Sequence, residues 1–449
     1  MTASTFLTKL SAAAATNSKK DKLAIVATFD KFELDLIKRT LDPRISYYIA
    51  KLPFPPSAGT KDWGSEEISL IESLAERTLT GDAALEQVRF ALHDLNPESG
   101  ELLRRVILKD LKCGIGATLV NTVFPFTIAD FPYMRCSLPK ASNIEKWDWS
   151  RGIFVQLKAD GSFARIAHQD DGGILITTRQ GNTYPDCESL FKLGEDARWT
   201  FPSNTEAHGE LTVWIDGVLQ PRTIGNGMLN SLQQGGEFPE GAEVRFDVWD
   251  LIPLASAVPK GKYLVPYADR FTKLAAHVQE AGKSSIMLIE SSVVYSYAEA
   301  MGVYKAILAR GLEGVILKSP SMIWADNTSK DAVKLKLEVD VDLEIIGFNP
   351  GEPGKRTELT FGSVRCQSSD GLLEVDVAGF NREMEAFLHE NRDSVLGKVM
   401  CVKANAVSAP SLSNEKHSLF HPRFVELRDD KYEPDSLRAV LDQFEAAIN

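Results

Sequence analysis

At 449 residues, with 44% hydrophobic and 25% charged content, the chain is long enough for two to four cores and has the composition of a soluble globular protein, not a fibrous or disordered one. No run approaches about 18 consecutive apolar residues, and the opening MTASTFLTKLSAAAATNSKK has too short an apolar part for a secretory signal, so a cytoplasmic protein without membrane contact is expected. The net charge of −12 disfavours a polyanionic partner only when averaged: residues 1–140 hold 18 Lys+Arg against 17 Asp+Glu, leaving −13 on residues 141–449.

In chain order, residues 22–116 read as helices. KLAIVATFDKFELDLIKRTL, EEISLIESLAERTL, AALEQVRFALHDL and ELLRRVILKDLK each space their apolar residues helically, with the proline-rich KLPFPPSAG as a connection. The last pattern gathers Arg104, Arg105, Lys109 and Lys112 into one short basic stretch, either a solvated face or a phosphate-binding one. It ends in CGIG, where Gly114 and Gly116 suit a helix stop and a close backbone approach.

From about Phe131 the character changes. Short strands rich in Val, Ile, Phe and Trp alternate with turns: IFVQLKADG, GGILITTRQG, HGELTVWIDG, EVRFDVWDL, GVILKSP and AVKLKL, with helical patterns only at LNSLQQ and YAEAMGVYKAILARG. After KLKLEVDVD come LEIIGFNPG, LTFGSVRCQSSDGLLEVDVAG and GKVMCVKANAVSA, strands and polar hairpins of the kind that build a small Greek-key barrel. The fold class expected is therefore multidomain: an all-α domain over 1–130, an α+β domain over 131–339, and a β-barrel domain over 340–449.

Five scattered cysteines without a CxxC pair indicate reduced thiols and no zinc ribbon. The histidines, including His208, His417 and His421, fall in no metal-ligand spacing and are expected to be structural or solvent-facing.

Within VQLKADGSFARI, Lys158 stands between apolar residues and is followed by Asp160 and Gly161. Two readings are open: apolar walls could desolvate the ammonium and supply a neutral amine as nucleophile, or the lysine snorkels from a half-buried strand that ends in an Asp-Gly turn. Downstream, HGEL carries Glu210, FDVWD carries Phe246 and Asp247, EGVILK carries Glu313 and Lys318, VKLK carries Lys334 and Lys336, and RDDK carries Arg428 and Lys431. Each is weak alone. As an ordered set with Lys-x-Asp-Gly they resemble the nucleotidyltransferase motifs of the ATP-dependent DNA ligases, over essentially the whole chain and most closely the bacteriophage (T4-like) type.

That resemblance implies helical DNA-binding, nucleotidyltransferase (adenylation) and OB-fold domains in the three regions above, acting as a monomer on nicked double-stranded DNA in replication, repair and recombination. ATP and Mg²⁺ are the implied cofactors. Lys158 is the implied site of AMP attachment, with Lys334 and Lys336 neutralising the phosphate from one strand face. Glu313 would hold Mg²⁺, and Glu210 the ribose or a metal-bound water. Phe246 would stack on adenine and Gln156 read its edge, with Asp160, Gly161 and Lys318 completing the nucleotide site. Arg428 and Lys431 would meet the ATP pyrophosphate, and EVDVD, Glu338–Asp342, sits where a hinge belongs.

This sequence departs from the pattern at Phe163, where many ligases have arginine. Arg165, two residues on and on the same strand face, could replace it, while Arg179 is the better match for the phosphate or ribose. In PRTIGNGMLN, Arg222 touches DNA or the glycines shape a turn. An RNA ligase or capping-type guanylyltransferase shares the lysine motif, but the helical domain and RDDK speak against both. A non-catalytic nucleic-acid-binding relative is disfavoured by the intact lysine and acids.

Overall fold

The computed structural model describes residues 3–142, 144–184, 187–234, 236–352, 357–410 and 414–448. The chain forms two compact units. The first comprises Met1–Ser137, Ala159–Glu290 and Lys318–Ala332; the second comprises Leu138–Lys158, Ser291–Leu317 and Val333–Asn449.

The first unit begins with seven helices, Ala3–Ala14, Lys19–Val26, Lys31–Leu41, Ser65–Ala75, Gly81–Asp94, Pro97–Ile107 and Ala117–Val123. Their apolar stripes share one core around Phe6, Leu10, Leu36, Ile37, Ile71, Val88, Leu102 and Val106. The continuous helix expected from Lys22 to Leu41 is two helices. Asp30 accepts from the Glu33 amide while the Glu33 carboxylate accepts from the Asp30 amide, a capping box that starts a new helix after Phe29.

The basic helical stretch expected through Lys112 also ends early. The helix stops at Ile107, and Lys109 and Lys112 take φ values of 57° and 52°, a left-handed backbone that no helix continues.

An antiparallel sheet follows, with strand order Ile174–Thr178, Ser162–His168, Thr205–Ile215, Ala242–Pro253, and Ile286–Leu288 added in parallel. Two helices absent from the expected set, Glu188–Thr200 and Tyr267–Ala281, pack against the strand Ala242–Pro253. The second has the stripe Tyr267, Arg270, Phe271, Leu274, in which an arginine masks the apolar pattern. Arg270 is buried because it forms a bidentate pair with Asp250, both contacts at 2.8 Å. PRTIGNGMLN is not a turn either: Arg222–Gln233 is a helix, with Gly225 against Val213.

In the second unit, Gly314–Leu317 lies between Val333–Lys336 and Ile153–Leu157, and Ser291–Val294 pairs antiparallel with the last. With the helix Tyr297–Ala309 these strands bury Ile153, Val155, Val294, Ile307, Val315, Leu317, Val333 and Leu335.

The strands Val339–Asn349, Ser363–Gln367, Glu374–Val377, Val399–Ala404 and Arg423–Leu427 form an antiparallel sheet around Val341, Leu343, Phe361, Met400 and Val402. Its edge strands, Glu374–Val377 and Arg423–Leu427, meet at one bridge, Ala378 with Arg423; among the described residues this is an open sheet with touching edges, not a closed ladder. Of the expected hinge, only Glu338 lies in the break between strands, at Leu337–Glu338. Val339–Asp342 already pair with Cys401–Ala404.

No helix among the described residues is long and apolar enough to cross a membrane.

Candidate active site

Lys158 follows the last residue of the strand Ile153–Leu157, and its amide donates to the Gly314 carbonyl at 2.9 Å. Gly314 has φ of 142°, and a Cβ there would lie 2.2 Å from the Leu335 carbonyl oxygen, so only glycine lets the strand it begins approach Val333–Lys336 this closely. The residue before it is Glu313, whose Oε2 stands 2.5 Å from Lys158 Nζ, both side chains about one-fifth exposed. A carboxylate, not an apolar wall, therefore holds the Lys158 ammonium.

On the neighbouring strand Lys334 and Lys336 alternate with buried Val333 and Leu335, and both are half-buried on one face. Lys336 donates to Asn405 at 3.0 Å. Burial, followed by the nearby Arg423 charge, lowers its pKa from the usual lysine range. Three adjacent strands thus gather Lys158, Glu313, Lys334 and Lys336 in the second unit. Gln156 is buried, and its amide donates to Ser291 Oγ at 2.9 Å in the strand pair.

A second group lies in the first unit. The Asn226 amide donates to the Gly161 carbonyl, and a Cβ on Gly161 would meet the Leu211 carbonyl oxygen at 2.2 Å and Glu210 Cγ at 2.9 Å. Asp160 pairs with Arg222 at 3.1 Å. In register, Glu210 stands between Phe163 and Asp247 on its two neighbour strands. Burial pushes the Asp247 carboxyl up to about 6, opposed by the Thr212 hydroxyl that donates to it.

Arg179 lies over the Tyr133 and Phe163 rings, 4.8 and 5.6 Å from their centroids. Arg165 is 2% exposed over Phe131, donates to the Thr178 carbonyl and keeps a buried Nε without a partner; burial lowers its pKa.

Two nucleotide-site expectations meet a different environment. Phe246 is fully buried with its ring edge-on to Phe201, because alternation along its strand turns Arg245, Asp247 and Trp249 to the other face. Lys318 is buried between the Tyr267 and Trp249 rings, donates to the Tyr267 hydroxyl at 3.1 Å and is pushed down to about 8 by burial. Trp249, on the face opposite Phe246, had no signal in the sequence beyond strand parity.

The basic stretch does not form one surface. Arg104 donates to the carbonyls of Leu52, Phe54 and Pro55; Arg105 donates to Glu101 and the Leu111 carbonyl; Lys109 donates to the carbonyls of Asp42 and Ile45 at 2.6 and 2.5 Å. These three side chains close the helical domain upon itself. Lys112, Gly114 and Gly116 remain exposed in the loop before Ala117–Val123.

Lys109→Ala should accordingly lower stability by about 2 kcal/mol, the worth of its two hydrogen bonds to backbone carbonyls. Burial, offset in part by the Asp42 charge, lowers the Lys109 pKa to about 8, below its value in the unfolded chain. The unfolded state therefore holds more protons above pH 8, and wild-type stability is regained as pH rises toward about 10. Denaturant melts should show the deficit of Lys109→Ala widening over that interval.

His208 is buried against Glu206 at 2.8 Å, a structural placement. All five cysteines are free thiols, and the described residues contain no group of three or more His, Cys, Asp or Glu side chains arranged for a metal. Arg428 and Lys431 converge on Asp342 in the C-terminal sheet, at 2.7 and 2.9 Å.

Residues 139–336 match the family described as ATP dependent DNA ligase domain. The DNA ligases of Enterobacteria phages T6 and T4 are each 30% identical over 480 aligned positions, covering 96% of this chain and 97% of theirs. Among solved structures, Pmar-Lig_Pre aligns with a TM-score of 0.72 at 19% identity, over 95% of this chain and 99% of the other. Pmar-Lig_PreS3 gives 0.71 at the same identity over 94% and 99%.

Proposed function

We infer the chemistry of these residues from one premise: the chain belongs to the ATP-dependent DNA ligase family. It is an enzyme that seals nicks in duplex DNA using ATP. The residue roles are our reading, and the observation that carries it is the Lys158–Glu313 contact beside the Lys334 and Lys336 strand.

Lys158 Nζ attacks the α-phosphorus of ATP once its proton has left; the bond to the pyrophosphate breaks and a nitrogen–phosphorus bond to AMP forms. The AMP then passes to the 5′-phosphate of the nick, and attack by the 3′-hydroxyl releases it. Lys334 and Lys336 meet the charge that develops on the phosphate. Glu313, beside Lys158, would hold a Mg²⁺ ion through hard carboxylate oxygen, and Glu210 would take the ribose or a metal-bound water; the ion would draw charge from the reacting phosphoryl group. Arg179, over the Tyr133 and Phe163 rings, would meet the phosphate or ribose, and Arg165, buried over Phe131, would stand in for the arginine that Phe163 replaces.

Asp160, Gly161 and Lys318 would shape a nucleotide-binding face of the first unit, where half-buried Trp249 is a better aromatic platform than buried Phe246, and Gln156 would read the base edge from the lysine strand. We read domains 1–130, 131–339 and 340–449 onto the helical run, the two central sheets and the C-terminal sheet, and an OB-fold onto the last, while the compact units divide the middle region between them. We assign duplex contact to Lys112, Gly114, Gly116 and Arg222, and a supporting role to Arg104, Arg105 and Lys109. A monomer acting in the cytoplasm on replication, repair and recombination nicks fits this reading.

The test is to incubate the protein with Mg²⁺ and labelled ATP, GTP or NAD, then add nicked DNA or nicked RNA. ATP alone should leave a covalent label that nicked DNA discharges. Labelling by GTP, or preferential joining of RNA, would move the chain to a capping or RNA-ligase chemistry.

A further inference from the structure

The two cations of RDDK are held by a carboxylate that lies far from them in sequence. Asp342 sits in the first strand of the C-terminal sheet, and its side chain is 11% exposed. Its Oδ2 accepts from Arg428 Nη1 at 2.7 Å and from Lys431 Nζ at 2.9 Å. Because both donors meet one oxygen atom, their charges stand no farther apart than about two hydrogen-bond lengths. Asp430 takes the other edge of the Arg428 guanidinium through Nε and Nη2, but its own side chain is 72% exposed. Asp435 takes Lys431 at 2.8 Å, and its backbone and side chain exchange hydrogen bonds with the Asp342 backbone, at 2.7 and 2.9 Å. Gln443, from the last helix, donates to the same Asp435.

We propose that Asp342 is a positioning residue for the ATP-consuming step: it converges Arg428 and Lys431 into one receptor for the pyrophosphate leaving group before any nucleotide arrives. Two like charges at this separation repel, and without a buried acceptor each long side chain would sample water independently. Removing a cation from Asp342 would strand a mostly buried carboxylate, so the pair stays converged and an incoming polyanion displaces the exposed Asp430 contact or takes the remaining donors. The order required at the moment of reaction is thus already present in the fold. The proposal rests on reading Arg428 and Lys431 as pyrophosphate ligands.

The experiment uses full-length Asp342→Asn, which keeps the shape, the backbone exchange with Asp435 and one acceptor oxygen but loses the charge. Three quantities are measured: KM and rate for self-labelling with ATP, sealing of a nick already carrying AMP, and melting temperature. The expected result is a KM for ATP raised at least about tenfold, the loss of one charge-assisted contact, with pre-adenylated sealing retained. Asp342→Glu, which keeps the charge and displaces it by one methylene, should raise KM in the same direction and serves if the asparagine variant does not fold.

Unchanged KM in both variants overturns the proposal. So does loss of both reactions in proportion to a lower melting temperature, which would make Asp342 a brace of the sheet. An Arg428→Ala, Lys431→Ala protein that labels normally would overturn the underlying reading. If that protein loses labelling while both Asp342 variants keep it, only the positioning role fails.

Discussion

Lys158→Ala should abolish covalent labelling by ATP and reduce sealing of an ordinary nick by at least about four orders of magnitude, the scale seen when a covalent nucleophile is removed. No neighbouring amine replaces it: Lys336 donates to Asn405, and Lys334 lies on a strand separated from the lysine strand by Gly314–Lys318. The fold should survive, because Lys158 is a partly exposed side chain at the end of a strand whose core is Ile153 and Val155. Its ion pair with Glu313 is about four-fifths shielded from water, so losing the cation costs about 1–3 kcal/mol, which the surrounding core can absorb. Lys158→Arg separates charge from chemistry. It preserves a cation for Glu313, so it should melt like wild type and still take no label. A labelled Lys158→Arg protein would put the nucleophile elsewhere, and peptide mapping of the adduct would locate it.

Much of this site could be read from residue types in order, because each candidate sits in a short strand or at its end, where local alternation is visible. Lys334 and Lys336 share a face for that reason alone. What could not be read is which carboxylate the lysine meets. Glu313 is 155 positions away from Lys158, and their contact depends on strand order and on Gly314, whose glycine requirement comes from Leu335.

Strand parity also decides Phe246. Its alternation with Arg245, Asp247 and Trp249 sends the ring into the core, and FDVWD alone does not say which face of its strand is the inner one. In the helical domain the apolar period continues past Ile107, but the acceptors for Lys109 lie 67 and 64 positions upstream, and a left-handed lysine held by distant carbonyls has no local signature. Arg270 illustrates the same limit from the other side. A charge in an apolar stripe reads as a broken helix until Asp250, on a neighbouring strand, is known to neutralise it.

An Arg428→Gln, Lys431→Gln protein should lose ATP self-labelling by at least about a hundredfold while still sealing a nick whose 5′-phosphate already carries AMP. The split follows from when negative charge needs a partner. A pyrophosphate leaves only when Lys158 is adenylated; once AMP is on the DNA, the leaving group is AMP itself and these two cations have nothing to stabilise. Glutamine is chosen over alanine because Asp342 and Asp435 currently receive hydrogen bonds from both side chains. A neutral donor keeps those carboxylates from being left bare, which limits the disturbance to the sheet. The Leu337–Glu338 break, where Glu338 pairs with Arg423 at 2.7 Å, is untouched by these substitutions. Equal loss in both assays at an unchanged melting temperature would make Arg428 and Lys431 DNA contacts. Normal labelling would remove them from the nucleotide site, and Asp342 would then hold a structural ion pair only.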